Sequence, residues 1–317
     1  MLTLPARLTT HPNAPTITIW ASFLQEALLV LSVKTAIASL LLVAQSNSLD
    51  VRELWERGDP VASEARMRVA LETAQEDDVL IIRTQIARTY MFRKDFDRAR
   101  DVLSEIASDV TAAGPKVQVH YWLELGRSYA SHQHSPDSQT DETRALARSA
   151  YQTALAISKD EGFDSLTVDI LHMFAFVDTN PAQQLSWTQR ALDVVLESDD
   201  PAVRRWEASI RSNLGEAYFE LVQYEQALEH FERALALRSD SDAPSRIVRD
   251  AKWHIARTLR KLEQLELALK MQQDIANEAY AENASRPYIY DELSMLYAAL
   301  GDPDRSRHFA EHKAALN

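Results

Sequence analysis

His308-Phe309-Ala310-Glu311-His312 sets two imidazoles four residues apart with a glutamate between them. On a helix both rings share one face, where they could hold zinc while the carboxylate acts as base toward a metal-bound water. The motif lies close to the end of the sequence, with no later segment to supply a third ligand, so a zinc hydrolase stands only as an alternative. His132, His134 and Asp137 form a second group of metal-ligating types, in a stretch with the polar composition of a solvated loop. There is no G-x-S-x-G elbow, and the Ser, His and Asp residues show no triad spacing. The six glycines, at 58, 114, 126, 162, 215 and 301, never fall within ten residues of one another. A phosphate cradle needs clustered glycines so that backbone N–H groups can approach the ligand, which excludes Walker and Rossmann sites. The chain has no cysteine, removing thiolate nucleophiles, disulfides and cysteine-based metal sites together. No catalytic residue and no cofactor is expected.

The elements that carry these residues belong to a folded chain. Of 317 residues, 46% are hydrophobic and 26% charged, the balance of a globular protein. A net charge of −13 surrounds it with a negative field that repels phosphate backbones, so nucleic acid is not expected as a direct partner. Residues 1–47 read as a separate N-terminal segment. Ile19 to Ala44 is strongly apolar, but Glu26 and Lys34 leave uncharged runs shorter than the ~20 residues a spanning helix needs. Two readings stay open: a helix capping the rest of the chain, or a signal or anchor. On the first the protein is cytoplasmic. On the second it is exported or membrane-anchored through 19–46.

The remainder, 48–317, is repetitive. Trp122-Leu123-Glu124-Leu125-Gly126-Arg127-Ser128-Tyr129 is followed by Ala147, Tyr151 and Ala154-Leu155, after an insertion around His134 to Asp141. Residues 212–237 repeat the pattern without a gap, through Leu214-Gly215, Tyr218, Tyr224, Ala227, Phe231 and Ala234-Leu235. Further copies centre on Ala87 and Tyr90, on Ala256 and Leu259, and on Ser294 and Tyr297, with degenerate ones at 50–74 and 166–196. The small residues at 87, 126, 215, 256 and 294 lie 38 to 41 apart wherever adjacent copies are intact. Prolines 60, 115, 136, 181, 201, 244, 287 and 303 all fall between apolar-periodic segments. A proline inside a helix costs ~3 kcal/mol, so they mark helix boundaries and outline seven helical hairpins.

This pattern resembles the tetratricopeptide repeat (TPR), in a variant of roughly 40 residues per unit. The resemblance implies an all-α solenoid, a right-handed superhelix of about seven hairpins. It also implies that the residue directly after each small one faces the concave groove: Arg88, Arg127, Met173, Glu216, Arg257 and Met295. Arg260 lies one turn beyond Arg257, and Phe92 and Trp253 border the same surface. A guanidinium fork suits carboxylates, so these residues predict a basic track inside an acidic protein. The bland alternative is that the arginines pair with acidic residues of adjacent helices. The family's carboxylate clamp places an Asn two residues before the small one. Asn213 and Arg257 fit it, but Trp253 stands where a Lys belongs and Asp169 and Met173 fill the preceding repeat, leaving the set incomplete.

The sequence therefore predicts a non-catalytic protein that binds another protein or a peptide, acidic in character, through Arg88, Phe92, Arg127, Asn213, Trp253, Arg257 and Arg260. A sensory or regulatory module, resembling the repeat arrays attached to transcription regulators and nucleotide cyclases, is the second reading.

Overall fold

The computed structural model describes residues 49–241 and 243–316. The expectations placed on residues 1–47, including the apolar stretch, lie outside the described residues. Among the described residues there is no strand, and no helix is long and apolar enough to cross a membrane.

Fourteen helices follow in order: α1 (Pro60–Leu71), α2 (Asp77–Phe92), α3 (Phe96–Val110), α4 (Pro115–Tyr129), α5 (Asp141–Asp160), α6 (Asp164–Val177) and α7 (Pro181–Glu197), then the single turn α8 (Pro201–Arg204), α9 (Glu207–Glu220), α10 (Tyr224–Ser239), α11 (Ser245–Lys261), α12 (Leu265–Ala281), α13 (Pro287–Ala299) and α14 (Pro303–Ala314). They pair as six antiparallel hairpins, α2/α3, α4/α5, α6/α7, α9/α10, α11/α12 and α13/α14, and α1 packs on α2. Contacts run only between helices near in order, as a solenoid requires. The degenerate stretch 166–196 is a full hairpin, α6/α7, with His172 standing where other hairpins carry Ala, Gly or Ser. Prolines 60, 115, 181, 201, 287 and 303 each open a helix, where the missing N–H has no intrahelical partner to lose.

The hairpins close on their small residues. Gly126 is covered by the ring of Tyr151 and Gly215 by that of Phe231, so closely that a methyl at either position would overlap the ring. Tyr151 also donates to the Ala130 carbonyl over 2.9 Å, tying the end of α4 to the middle of α5. In the last hairpin Ser294 uses its hydroxyl instead, donating to the Ser306 carbonyl over 2.9 Å. Tyr151 and Phe231 are fully buried, each contributing roughly 2–3 kcal/mol through area removed from water.

The turn inside a hairpin is equally regular. Lys94, Val222, Glu263 and Gly301 all have φ between 61° and 77°, and the next residue's N–H bonds back to Tyr90, Tyr218, Leu259 and Tyr297 respectively. This is a Schellman closure at the ends of α2, α9, α11 and α13, whereas α4 and α6 end in the extended residues Ala130 and Asp178. The Gly-Asp-Pro sequences at 58–60 and 301–303 therefore have a mechanical meaning: glycine takes the left-handed residue, aspartate caps, and proline starts the helix. Asp59 accepts from Val61 and Ala62 N–H, and Asp302 from Arg305 N–H.

Candidate functional site

The first helices α2, α4, α6, α9, α11 and α13 carry the signature positions and place them in succession along one face. At its start, Arg88 on α2 lies beside Trp55 and Phe92, its guanidinium carbon 5.6 and 5.7 Å from the two ring centroids. Trp55 is held edge-on to Phe92 at 5.5 Å and donates from Nε1 to Gln85.

Arg127 on α4 is buried. It donates to Glu124 Oε1 over 2.5 Å and to Asp169 of α6, and its Nε rests 3.3 Å from Met173 Sδ. Arg88 Nη1 stands 3.7 Å from the same Glu124 oxygen. Four charges from three successive first helices thus form one network. Burial disfavours charge on Arg127, but Asp169 and Glu124 outweigh it and hold the guanidinium above its ordinary range. Burial likewise opposes the Asp169 carboxylate, and Arg127 and Arg88 bring it below its ordinary value. Arg88 is lowered by burial and by the neighbouring Arg127.

Neutral histidines surround these charges. His120 is pushed down to about 3 by burial and by Lys116, Arg127 and Arg88. His172 is pushed down to about 4, burial prevailing over the nearby Asp169. Asn213 donates to His172 Nδ1 over 2.9 Å, which leaves the ring proton on Nε2. A line of rings leads on from here: His132 to Phe176 at 5.3 Å, Phe176 to His172 at 5.0 Å, and His172 to Trp206 at 6.1 Å.

Further along, Arg257 of α11 donates to Glu216 of α9 over 2.6 Å. Its guanidinium carbon lies 3.8 Å from the Phe219 centroid and 4.9 Å from that of Trp253. Burial raises Glu216, but His254 and Arg257 overcome it and hold the carboxyl at about 2. Arg260 grips Glu292 of α13 with two hydrogen bonds, 2.5 and 3.0 Å.

The sequence-derived residues therefore share one face, but the arginines are not a bare basic track. Arg127, Arg257 and Arg260 each meet a carboxylate of an adjacent helix, the bland alternative. Glu216, which reads as an interruption in sequence, is Arg257's partner, and Asn213 serves His172. Trp55, Glu124 and Glu292 were not singled out as site residues, and Asp169 was noted only as a departure from the clamp. For the three carboxylates the only sequence signal is an acidic residue two to four positions ahead of a signature position.

Arg88, Phe92 and Arg127 do come together. With Met91, Ser131, His132, Gln133 and Met173 they line a shallow depression open to solvent. Phe92 is 43% exposed at its lip. Of the histidine cluster near the insertion, His132 joins this lining. His134 is structural: its ring stacks on Phe96 at 3.7 Å and bonds the Ser128 carbonyl. His308 and His312 lie with ring centroids 4.6 Å apart, and among the described residues no group of three or more His, Cys, Asp or Glu side chains is placed to hold a metal.

A tetratricopeptide-repeat family model matches residues 206–277, which contain the Glu216–Arg257 pair. Residues 206–277 are thus tetratricopeptide repeats. Solved structures extend the same fold over most of it. The STAND signal-transduction ATPase PH0952 of Pyrococcus horikoshii, with a TPR sensor, aligns at TM-score 0.62 and 18% identity, over 82% of this chain and 39% of its own. This chain thus spans well under half the length of that protein. Apo RapI aligns at 0.65 and 12% identity, covering 81% of this chain and 72% of its own. NprR, solved with its cognate peptide NprX, aligns at 0.51 and 12%, covering 80% and 71%. No curated protein matches the sequence. These likenesses establish a TPR solenoid.

Proposed function

We propose that this TPR protein is a non-catalytic adaptor that holds a peptide segment or another protein in the groove lined by its first helices. Arg88, Phe92, Arg127, Asn213, Trp253, Arg257 and Arg260 are the residues proposed to form or support that surface. The observation that carries the reading is the open depression at Arg88, Phe92 and Met173, where apolar side chains meet a guanidinium at the mouth. Exposed aromatic anchors beside charged groups are the usual hot spots of protein interfaces. Buried members such as Arg127 act by holding the surface in shape. The structural relatives support the reading to the extent that NprR, of the same fold, binds a peptide.

Affinity capture with the full chain and with a Phe92→Ala, Met295→Ala variant tests it. Both side chains are more than 40% exposed, so the variant keeps its fold. The reading predicts that the variant loses a partner which the chain and a Tyr280→Ala control retain, Tyr280 lying 78% exposed on the second helix α12. Identical partner lists for all three would contradict it.

A sensory role, in which a bound effector alters the curvature of the array, is the second reading. The relative with a TPR sensor favours it by fold alone. A scattering profile that shifts when a ligand is added would distinguish it from a rigid adaptor.

A further inference from the structure

Arg88 differs from the other three arginines of the first-helix face. Arg127, Arg257 and Arg260 each donate to a carboxylate of a neighbouring first helix. Arg88 donates no hydrogen bond among the described residues, and its nearest carboxylate oxygen, Glu124 Oε1 at 3.7 Å, already accepts from Arg127. Trp55 and Phe92 fix the guanidinium through their ring faces and leave its donors unused. With five N–H groups and a side chain only 29% exposed, such a fork gains most from a carboxylate that meets two donors at once.

We propose that the Arg88 pocket takes the side-chain carboxylate of a glutamate or aspartate in an extended peptide. The adjacent apolar side chain of that peptide packs on Met91, Phe92 and Met173. This rests on the peptide-binding reading and names its recognition element. A side chain fits better than a chain terminus because the surface does not end at the pocket. The rings of His132, Phe176, His172 and Trp206 carry it onward to α9, so a bound chain passes through. His132 and Gln133 stand at the rim, beside the path of the peptide backbone.

The test uses the full chain and a library of short, N-acetylated, C-amidated fluorescent peptides with Leu-Glu or Leu-Asp at the centre. A matched set carries Leu-Gln or Leu-Asn. Acidic members are expected to bind roughly tenfold or more tightly than their amide counterparts, the range of one charge-assisted hydrogen bond. Arg88→Gln, which leaves every internal hydrogen bond in place, should abolish that preference, with circular dichroism unchanged. An acidic preference that survives Arg88→Gln overturns the proposal, as does binding only of peptides with a free C-terminal carboxylate. Binding that is indifferent to Glu or Gln but lost in Phe92→Ala overturns the carboxylate assignment and leaves the peptide-binding reading standing. No binding by either set counts against both.

Discussion

Glu216 and Arg257 occupy the same position in consecutive repeats, each directly after the small residue of its first helix, and they are joined by a 2.6 Å hydrogen bond across the boundary between the two repeats. One register therefore supplies both ends of an ion pair that fixes α9 against α11. Phe219 and Trp253 enclose the guanidinium, which strengthens the pair by excluding water.

This pair should be visible in the acid limb of stability. The Glu216 carboxyl is held at about 2, below its ordinary 4.5. A lowered carboxyl contributes stability that is complete above 4.5 and is lost as pH falls toward 2. With the side chain 40% exposed, solvent screening reduces the contribution to about 1 kcal/mol. Urea unfolding of Glu216→Gln from pH 6 to 2 should show a correspondingly smaller loss than the parent chain, and parallel curves would refute the assignment.

His120 and His172 add a second pH dependence at higher pH. Both rings are neutral in the fold, at about 3 and about 4, against an ordinary 6.5. The unfolded chain takes up these protons first, so stability is complete above 6.5 and declines as pH falls below it. His120→Gln is expected to flatten the curve between pH 6.5 and 3 even where it lowers stability at pH 8. An unchanged slope would contradict the burial argument.

The covered glycines predict overpacking. Gly215→Ala drives a methyl into the Phe231 ring and should destabilise by about 2 kcal/mol in thermal or urea unfolding. Combining it with Phe231→Leu should cost less than the sum of the two single changes. Strict additivity would mean that the glycine acts through the backbone alone.

Val222 predicts a gain. It is a β-branched residue at φ 62° and 67% exposed, in the turn position that Gly301 fills in the last hairpin. Val222→Gly relieves left-handed strain at the expense of unfolded-state entropy, and the net effect should be a rise of about 1 kcal/mol in unfolding free energy. A lower melting temperature would show that the turn is unstrained.

These relationships explain what could be read from the sequence. Gly126, Gly215, Tyr151 and Phe231 are legible because packing between two helices of one hairpin demands a small residue under a ring at a fixed offset. Prolines 60, 115, 181, 201, 287 and 303 are legible because each opens a helix. The partners of Arg127 and Arg257 were not legible, because pairing across repeats depends on how far one hairpin is rotated on the next. Asp169 meets Arg127 from the repeat that had lost its signature, where His172 replaces the small residue. Arg88 is set apart from its neighbours by an absence, no carboxylate within hydrogen-bond reach among the described residues, which a sequence does not display.

The most direct test of the account is hydrogen exchange on the full chain alone and bound to the partner that Phe92→Ala, Met295→Ala fails to capture. A partner seated in the groove should slow exchange in the first helices α2, α4 and α6, strongest around Arg88 to Phe92 and Ser131 to Gln133. Slowing confined to the second helices α3, α5 and α7 would place the partner on the outer face and contradict it.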